Sequence, residues 1–564
     1  MGQQEMQPVE GIAGKYVSVC KDDNGVLSGI EFHNDDNFNF AFDVVDVLGK
    51  TKPDKLAMLH ISNDGKERRI TFKDMMVYSN RAANYFRFLG IKRGDRVMLV
   101  LKRHYQFWFA ILALHKIGAV AIPATNLLVK KDFEYRFKAA KVDAVICTSD
   151  GKVAVEVERA AKNYDGLKAK IMVGTSTLKG WRNFNRDMKY FSSEYKKPAS
   201  LPGGNDPMLM FFTSGTTSYP KIAEHTYKYA LGHYVTAKYW QQVKSDGIHF
   251  TISDTGWGKA LWGKLYGQWL CEAAVFTYDF DEFYANHILE MIEKYKITTF
   301  CAPPTVYRVL VHMNLDKFDL SSLTNVTTAG EALNPEIYEK FYRKTGFKIM
   351  EGFGQTETTL TICNLEGMRP IPGSMGKPSP QYKVKVMRPD GTLCNERETG
   401  EIVIDVRDGY PAGLFMGYYL DEKRTENVIY EGYYHTGDTA YMDDEGYLWY
   451  VGRVDDVIKS TGYRVGPFEI ENEIMKLPYV LECAVTSVPD PIRGQAIKAT
   501  VVLTDDVEGN DDLKKQMNKF FKSNLASYKR PKLIEFVKEL PKTVSGKIRR
   551  VEIKERDWAQ NEKN

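Results

Sequence analysis

The run Thr213-Ser214-Gly215-Thr216-Thr217-Ser218-Tyr219-Pro220-Lys221 follows Met208-Leu209-Met210-Phe211-Phe212. Five apolar residues in a row read as a buried strand. The strand breaks into hydroxyls, one glycine and a lysine. Gly215 permits close backbone approach, and the Ser and Thr hydroxyls donate hydrogen bonds. Successive N–H groups in such a turn form an anion-binding nest, and Lys221 adds positive charge. Alone, a hydroxyl-rich stretch is more often a polar surface loop. It is not a Walker phosphate loop, because the Gly-x4-Gly-Lys-Ser/Thr spacing is absent.

Outward from this loop, strands alternate with helices. Arg96 to Leu101, Ala119 to Ile122 and Ala144 to Cys147 read as strands. Phe40 to Val45 starts a helical pattern, and Tyr105 to Ile117 and Lys131 to Ala140 are predicted helices. That alternation predicts an α/β fold with parallel or mixed sheets covered by helices. Residues 1 to about 40 are polar and are expected to wrap the surface. Beyond the loop, Tyr227 to Tyr239 suits an amphipathic helix, and Phe283 to Tyr295 carries apolar residues at helical spacing. From Asp455 onward the pattern restarts as a separate small α+β unit of about 110 residues, a usual domain size. The expected domains are therefore 1–454 and 455–564.

Composition narrows the class. The chain has 564 residues, 43% hydrophobic and 27% charged, with a formal charge of +4. That charge is too small for bulk nucleic-acid binding. The 7 cysteines are scattered, with no Cys-x-x-Cys pair, which fits a reducing compartment. The longest apolar stretch, Phe107 to Ile122, is interrupted by His115 and Lys116 and falls short of a membrane span. Met6 occupies the position where a myristoylation signal needs Ser or Thr. The N-terminus lacks a signal-peptide pattern and is acidic for a transit peptide, so a cytoplasmic location is expected.

Further motifs follow in order. Asn325 to Ala329 runs into the turn Gly330-Glu331-Ala332. Glu351-Gly352-Phe353-Gly354-Gln355-Thr356-Glu357 places two glycines around an aromatic, then a hydroxyl and a carboxylate. Gly352 and Gly354 are expected to clear space for a flat ligand, with Phe353 as its stacking face. Glu357 is a hard oxygen ligand suited to magnesium. Thr436-Gly437-Asp438 and Gly452-Arg453 end strands, where a carboxylate commonly accepts from ribose hydroxyls. The last motif is Pro541-Lys542-Thr543-Val544-Ser545-Gly546-Lys547. Each alone is weak: glycine hairpins and solvated lysines are common, and a tryptophan such as Trp257 is usually core.

The ordered set, from about residue 70 to 551, resembles the adenylate-forming superfamily: acyl-CoA synthetases, peptide-synthetase adenylation domains and luciferases. A medium-chain acyl-CoA synthetase is the nearest likeness. Ser218 departs from the glycine usual at its position. The resemblance implies that ATP drives a carboxylic acid to an acyl-adenylate with release of pyrophosphate, and that CoA then takes the acyl group. It implies that Thr213, Ser214, Gly215, Thr216, Thr217 and Lys221 hold the β- and γ-phosphates. Phe353 would stack on adenine, with Gly330, Glu331 and Ala332 opposite, and Glu351, Gly352, Gly354 and Gln355 complete that wall. Thr356 would touch the α-phosphate, Glu357 would hold Mg2+, and Asp438 and Arg453 would bind the ribose. Lys547 would bridge the carboxylate and the α-phosphate. The small domain would turn about Asp455, bringing Thr461, Gly462 and Tyr463 to the pantetheine and Arg464 to the active site. Arg493, with Lys529, Arg530 and Lys532, is a candidate for the CoA phosphates.

Trp257, Gly330 and Gly354 would line the acyl pocket. Acetyl-specific relatives carry tryptophan where Gly354 stands, so an acid longer than acetate, branched or ring-bearing, is expected. Partners are thus a small carboxylic acid, ATP and CoA, with no nucleic acid and no membrane span; oligomeric state is not legible. No carrier-protein segment follows Lys547 before Asn564, which favours free CoA over a carrier as the expected acceptor. A ligase using another acceptor, a luciferase-type oxygenase and a non-catalytic nucleotide-binding protein are the alternatives.

Overall fold

The computed structural model describes residues 5–213, 220–460, 463–490, 494–543 and 547–561. Among these residues, the runs read as strands assemble into two large sheets. One has eight strands in the order Arg182–Asn183, Ala169–Val173, Ala144–Thr148, Arg96–Val100, Val120–Pro123, Pro207–Thr213, Lys221–Thr226 and Gly417–Tyr418. Its first six strands run parallel, Lys221–Thr226 runs opposite to them, and Gly417–Tyr418 is antiparallel to Lys221–Thr226 in turn. The other has nine strands, with Leu56–Ile61, Ala274–Tyr278, Ile248–Thr251, Thr299–Ala302, Asn325–Ala329 and Ile349–Gly354 parallel in its middle. Parallel neighbours need crossover helices, which cover both faces and explain why these strands are apolar throughout. A five-stranded antiparallel sheet, built around Gly400–Asp405, Tyr433–Met442 and Leu448–Arg453, completes the large lobe.

Helix Gln106–Ile117 is buried along its whole length. Its polar residues Gln106, His115 and Lys116 each find a partner, although His115 Nδ1 has none. The Lys116 ammonium donates to Asp46 Oδ1 at 2.6 Å, Ser79 Oγ at 2.9 Å and Asn80 Oδ1 at 2.6 Å. His115 Nε2 lies 2.8 Å from the Tyr266 hydroxyl. Among the described residues no helix is long and apolar enough to cross a membrane.

Two expectations are corrected here. The N-terminal stretch does not merely wrap the surface. It forms a three-stranded antiparallel sheet, Gln7–Pro8, Val17–Lys21 and Leu27–Phe32, and buries Val17, Leu27, Phe38 and Phe40. The helix expected from Tyr227 is not amphipathic: Tyr229 to Val235 are all buried, because it packs between the two large sheets' helical layers.

Beyond Arg453 the chain builds a second core. Strands Tyr463–Val465, Ile458–Ser460, Gly494–Leu503 and Val480–Asp490 pair in that order, and Leu533–Phe536 joins Gly494–Leu503. Ile470 and Ile474 of helix Pro467–Ile474 meet Met517 and Phe521 of helix Asp511–Asn524 over Val485 and Ile497. Asp455 is exposed, in the turn between the last strand of the large lobe and the first of this unit.

Candidate functional site

The strand Pro207–Thr213 turns back as Lys221–Thr226, with Thr213 opposite Lys221. Residues Ser214, Gly215, Thr216 and Thr217 lie between them, outside the described residues. The flanking Lys221 therefore fixes where the loop begins and ends. Its ammonium donates to the Tyr418 hydroxyl at 2.8 Å and lies 4.5 Å from that ring's centre. The Tyr418 hydroxyl in turn donates to Glu357 Oε1 at 2.8 Å. Burial lowers the Lys221 pKa, with the charge of Glu357 working against it. Glu357 belongs to the turn after strand Ile349–Gly354, so this relay joins the eight-stranded sheet to the nine-stranded one.

The third sheet enters through Asp438, which faces Arg453 in register. Three groups donate to its carboxylate. Gln355 Nε2 donates to Oδ2 at 2.5 Å, Arg453 Nη1 to Oδ2 at 3.2 Å and the Tyr450 hydroxyl to Oδ1 at 3.1 Å. The Lys547 charge acts on that carboxylate through space, drawing the Asp438 pKa down. Burial is the largest influence and leaves that pKa raised despite Arg453, Gln355, Tyr450 and Lys547. Gln355 also donates to the Thr436 carbonyl at 2.9 Å and accepts from the Tyr434 hydroxyl at 2.7 Å. Phe353 is half-buried, with its ring 6.4 Å from that of Tyr450. The Thr356 carbonyl is 2.7 Å from His225 Nε2, and burial pushes His225 down to about 4, so it is neutral.

Lys547 reaches this place on a hairpin. Lys542 bridges Ile548, Thr543 N–H donates to the Lys547 carbonyl at 2.7 Å, and Lys547 N–H donates to Thr543 Oγ1 at 3.1 Å. The Lys547 charge also reaches Lys259, a residue the sequence reading missed. The Lys259 ammonium donates to the Ala329 carbonyl at 2.8 Å, directly before the Gly330 turn. It sits deep in the molecule yet still touches solvent-sized space, as a cleft-lining group does. Burial lowers its pKa, with Cys301 and Glu331 raising it and Lys547 lowering it further. Gly330 has a φ of +106° and nothing within 4 Å of where a Cβ would stand, so the turn faces open space.

The other two glycines differ from Gly330 in having close neighbours. A Cβ on Gly352 would lie 2.6 Å from Leu360 Cδ1 and 3.0 Å from the Trp240 indole. A Cβ on Gly354 would lie 2.3 Å from the Thr359 carbonyl oxygen and 2.5 Å from Trp262 Cη2. On the side where a side chain would project both glycines meet protein, Gly354 against Trp262 of helix Gly258–Gly263. Trp257, just before that helix, is only partly buried and is not core.

Three expected contacts toward CoA, Thr461, Gly462 and Arg493, lie outside the described residues. So do the side chains of Tyr463 and Arg464, whose backbone forms a short strand. Of the basic candidates, Lys529 pairs with Glu469 at 2.5 Å and Arg530 donates to the Leu525 and Lys522 carbonyls. Lys532 is exposed.

The site thus gathers Lys221, Glu357, Asp438 and Lys547 from three sheets and the C-terminal unit. Residues 46–419 match the AMP-binding enzyme family, and residues 469–547 match the AMP-binding enzyme C-terminal domain. The chain belongs to the AMP-binding enzyme family. Human acyl-coenzyme A synthetase ACSM3, mitochondrial, is 40% identical over 531 residues, covering 92% of this chain and 90% of that protein. Among solved structures, the anthranilate CoA ligase AuaEII in complex with anthranoyl-AMP superposes with a TM-score of 0.85 at 26% identity, covering 93% of this chain and 98% of that one. A Brucella canis acyl-CoA synthetase is 31% identical with a TM-score of 0.69, covering 94% and 95%. In this AMP-binding enzyme, Tyr418, Lys259 and Trp262 are the site neighbours that sequence reasoning missed. Tyr418 carries no local signal, being half of a two-residue strand. Lys259 carries a faint one: it is the only charge in Trp257-Gly258-Lys259-Ala260-Leu261-Trp262.

Proposed function

We propose that the protein is an ATP-dependent acyl-CoA synthetase. A carboxylate oxygen attacks the α-phosphorus of ATP and pyrophosphate leaves; the CoA thiolate then attacks the acyl carbon and AMP leaves. The observation that carries this reading is the meeting of motif residues from three sheets in the Lys221–Tyr418–Glu357 relay and the Asp438–Gln355–Arg453 cluster.

The first step brings two anions together, so its cations and donors must be fixed beforehand. Lys221 is fixed by Tyr418 at the edge of the phosphate loop, and the backbone of Lys547 is tied to Thr543. Removing one well-placed donor of this kind typically costs ~3 kcal/mol of barrier, or 100- to 1000-fold in rate. Asp438 and Arg453 suit the ribose, and Phe353 with Gly330, Glu331 and Ala332 suits the adenine. Glu357 suits Mg2+: its carboxylate is buried and oriented by the Tyr418 hydroxyl. One carboxylate is what an ion that keeps most of its waters asks of a protein, and that ion would neutralise phosphate charge. The C-terminal unit turns about Asp455 between the two steps, exchanging Lys547 for the strand Tyr463–Val465.

The acyl chain is accommodated beside Trp262 and Lys259 rather than over Gly354. The acid is small, and anthranoyl-AMP in the AuaEII complex makes ring-bearing acids worth including with linear and branched ones. As for location, the relatives' names speak for mitochondria and the N-terminal composition for cytoplasm; fractionating cells that express the C-terminally tagged chain separates the two. The function is tested by pyrophosphate release over a panel of linear, branched and aromatic acids, with and without CoA. Turnover of ATP to AMP that depends on an acid, and thioester formation with free CoA, are expected. No acid-dependent AMP with any member of the panel overturns the reading.

A further inference from the structure

One ion-pair cluster joins the two halves of the molecule outside the site itself. Arg308 lies on helix Pro304–Leu310, which follows strand Thr299–Ala302 of the nine-stranded sheet. Its Nη1 is 3.3 Å from Glu482 Oε1. Glu482 is in strand Val480–Asp490 of the C-terminal unit. The same carboxylate receives the Lys542 ammonium at 2.9 Å on Oε1 and 2.7 Å on Oε2. Lys542 sits on one arm of the hairpin whose other arm carries Lys547, and the two arms bridge at Lys542 and Ile548. Glu482 therefore holds the large lobe with one hand and the Lys547 hairpin with the other. Its side chain is 16% exposed and that of Arg308 27%, so water screens the cluster only in part.

We propose that Glu482 is a positioning residue for the adenylation step: it clamps the Lys547 hairpin to the large lobe through Arg308 and Lys542. The inference rests on the acyl-CoA synthetase reading above. Lys547 is needed close to Asp438 only while the acyl-adenylate forms. A rotation of the C-terminal unit separates Arg308 from Glu482 but leaves Glu482 with Lys542, since both belong to that unit. The Arg308–Glu482 contact thus exists in one arrangement and not the other, and it biases the equilibrium between them by its differential free energy.

The test measures the two half-reactions separately in the full chain. Single-turnover pyrophosphate release from acid plus ATP reports the first, and thioester formation from supplied acyl-adenylate plus CoA reports the second. Glu482→Gln and Arg308→Gln should each slow the first by roughly 2- to 5-fold, the scale of a partly exposed ion pair. The second should be unchanged or faster. Arg308→Gln keeps every contact inside the C-terminal unit, so it reads the clamp even if Glu482→Gln unsettles that unit. The double variant should be no slower than the worse single one. A ratio of half-reactions equal to wild type in Arg308→Gln, or additive losses in the double variant, overturns the clamp while leaving the activity intact. A wild-type enzyme that makes no acyl-adenylate from any acid overturns both.

Discussion

Gly354 shows how far one residue's meaning depends on what faces it. Its sequence neighbours suggest room for a ligand, yet Trp262 and the Thr359 carbonyl fill that room. Gly354→Ala should therefore not tune chain length. It forces a Cβ against backbone, and overpacking of about 1–3 kcal/mol should appear as a lower Tm and lost turnover with every acid. Trp262→Ala should do the tuning, favouring longer acids by roughly 0.8 kcal/mol per added methylene, read as a shift in relative kcat/KM across linear acids. A second residue-scale expectation concerns Glu351. Burial pushes its carboxyl up to about 8 from an ordinary 4.5, with the Leu333 N–H bond opposing. The unfolded chain ionises above 4.5 while the native one stays protonated, so this group's contribution is full below 4.5 and is lost as pH rises toward 8. Each unit in that window removes up to ~1.4 kcal/mol. Glu351→Gln should flatten the fall of Tm between pH 5 and 8. At this scale the reading of Thr436-Gly437-Asp438 as a strand end is corrected: Asp438 lies in the middle of strand Tyr433–Met442. The sequence was silent on Trp262 and Tyr418, because what they touch lies far away along the chain.

At the scale of elements, the central strands were readable because parallel strands covered on both faces must be apolar throughout. Helix Gln106–Ile117 was readable too, but not the purpose of its lysine. Lys116 interrupts an apolar run and is fully buried against Asp46. Burial lowers the Lys116 pKa and raises that of Asp46, each opposed by the other's charge. Asp46→Ala leaves that ammonium without its counter-charge and should cost about 3–5 kcal/mol in urea unfolding. Replacing both by apolar residues should recover much of the loss. The N-terminal sheet escaped notice for the opposite reason. Its strands are short and mostly half-exposed, so their alternation of apolar and polar positions is diluted.

For the whole molecule, the order of motifs was legible while their meeting point was not. Lys221, Glu357, Asp438 and Lys547 are brought together by sheets whose packing no local pattern encodes. Lys547→Ala should abolish pyrophosphate release from acid plus ATP, by 100-fold or more if Lys547 is a transition-state donor of the usual strength. It should still convert supplied acyl-adenylate and CoA to thioester, because the C-terminal unit presents a different face for that step. Equal loss of both half-reactions would tie Lys547 to the fold rather than to the chemistry.

The carboxylate of Asp438 is already occupied by Gln355, Tyr450 and Arg453. A ribose bound there, as proposed above, would compete with those internal donors rather than add to them. Nucleotide affinity in such a site is a difference between two sets of bonds, and trimming the resident set, as in Gln355→Ala, loosens the turn and frees an acceptor at once.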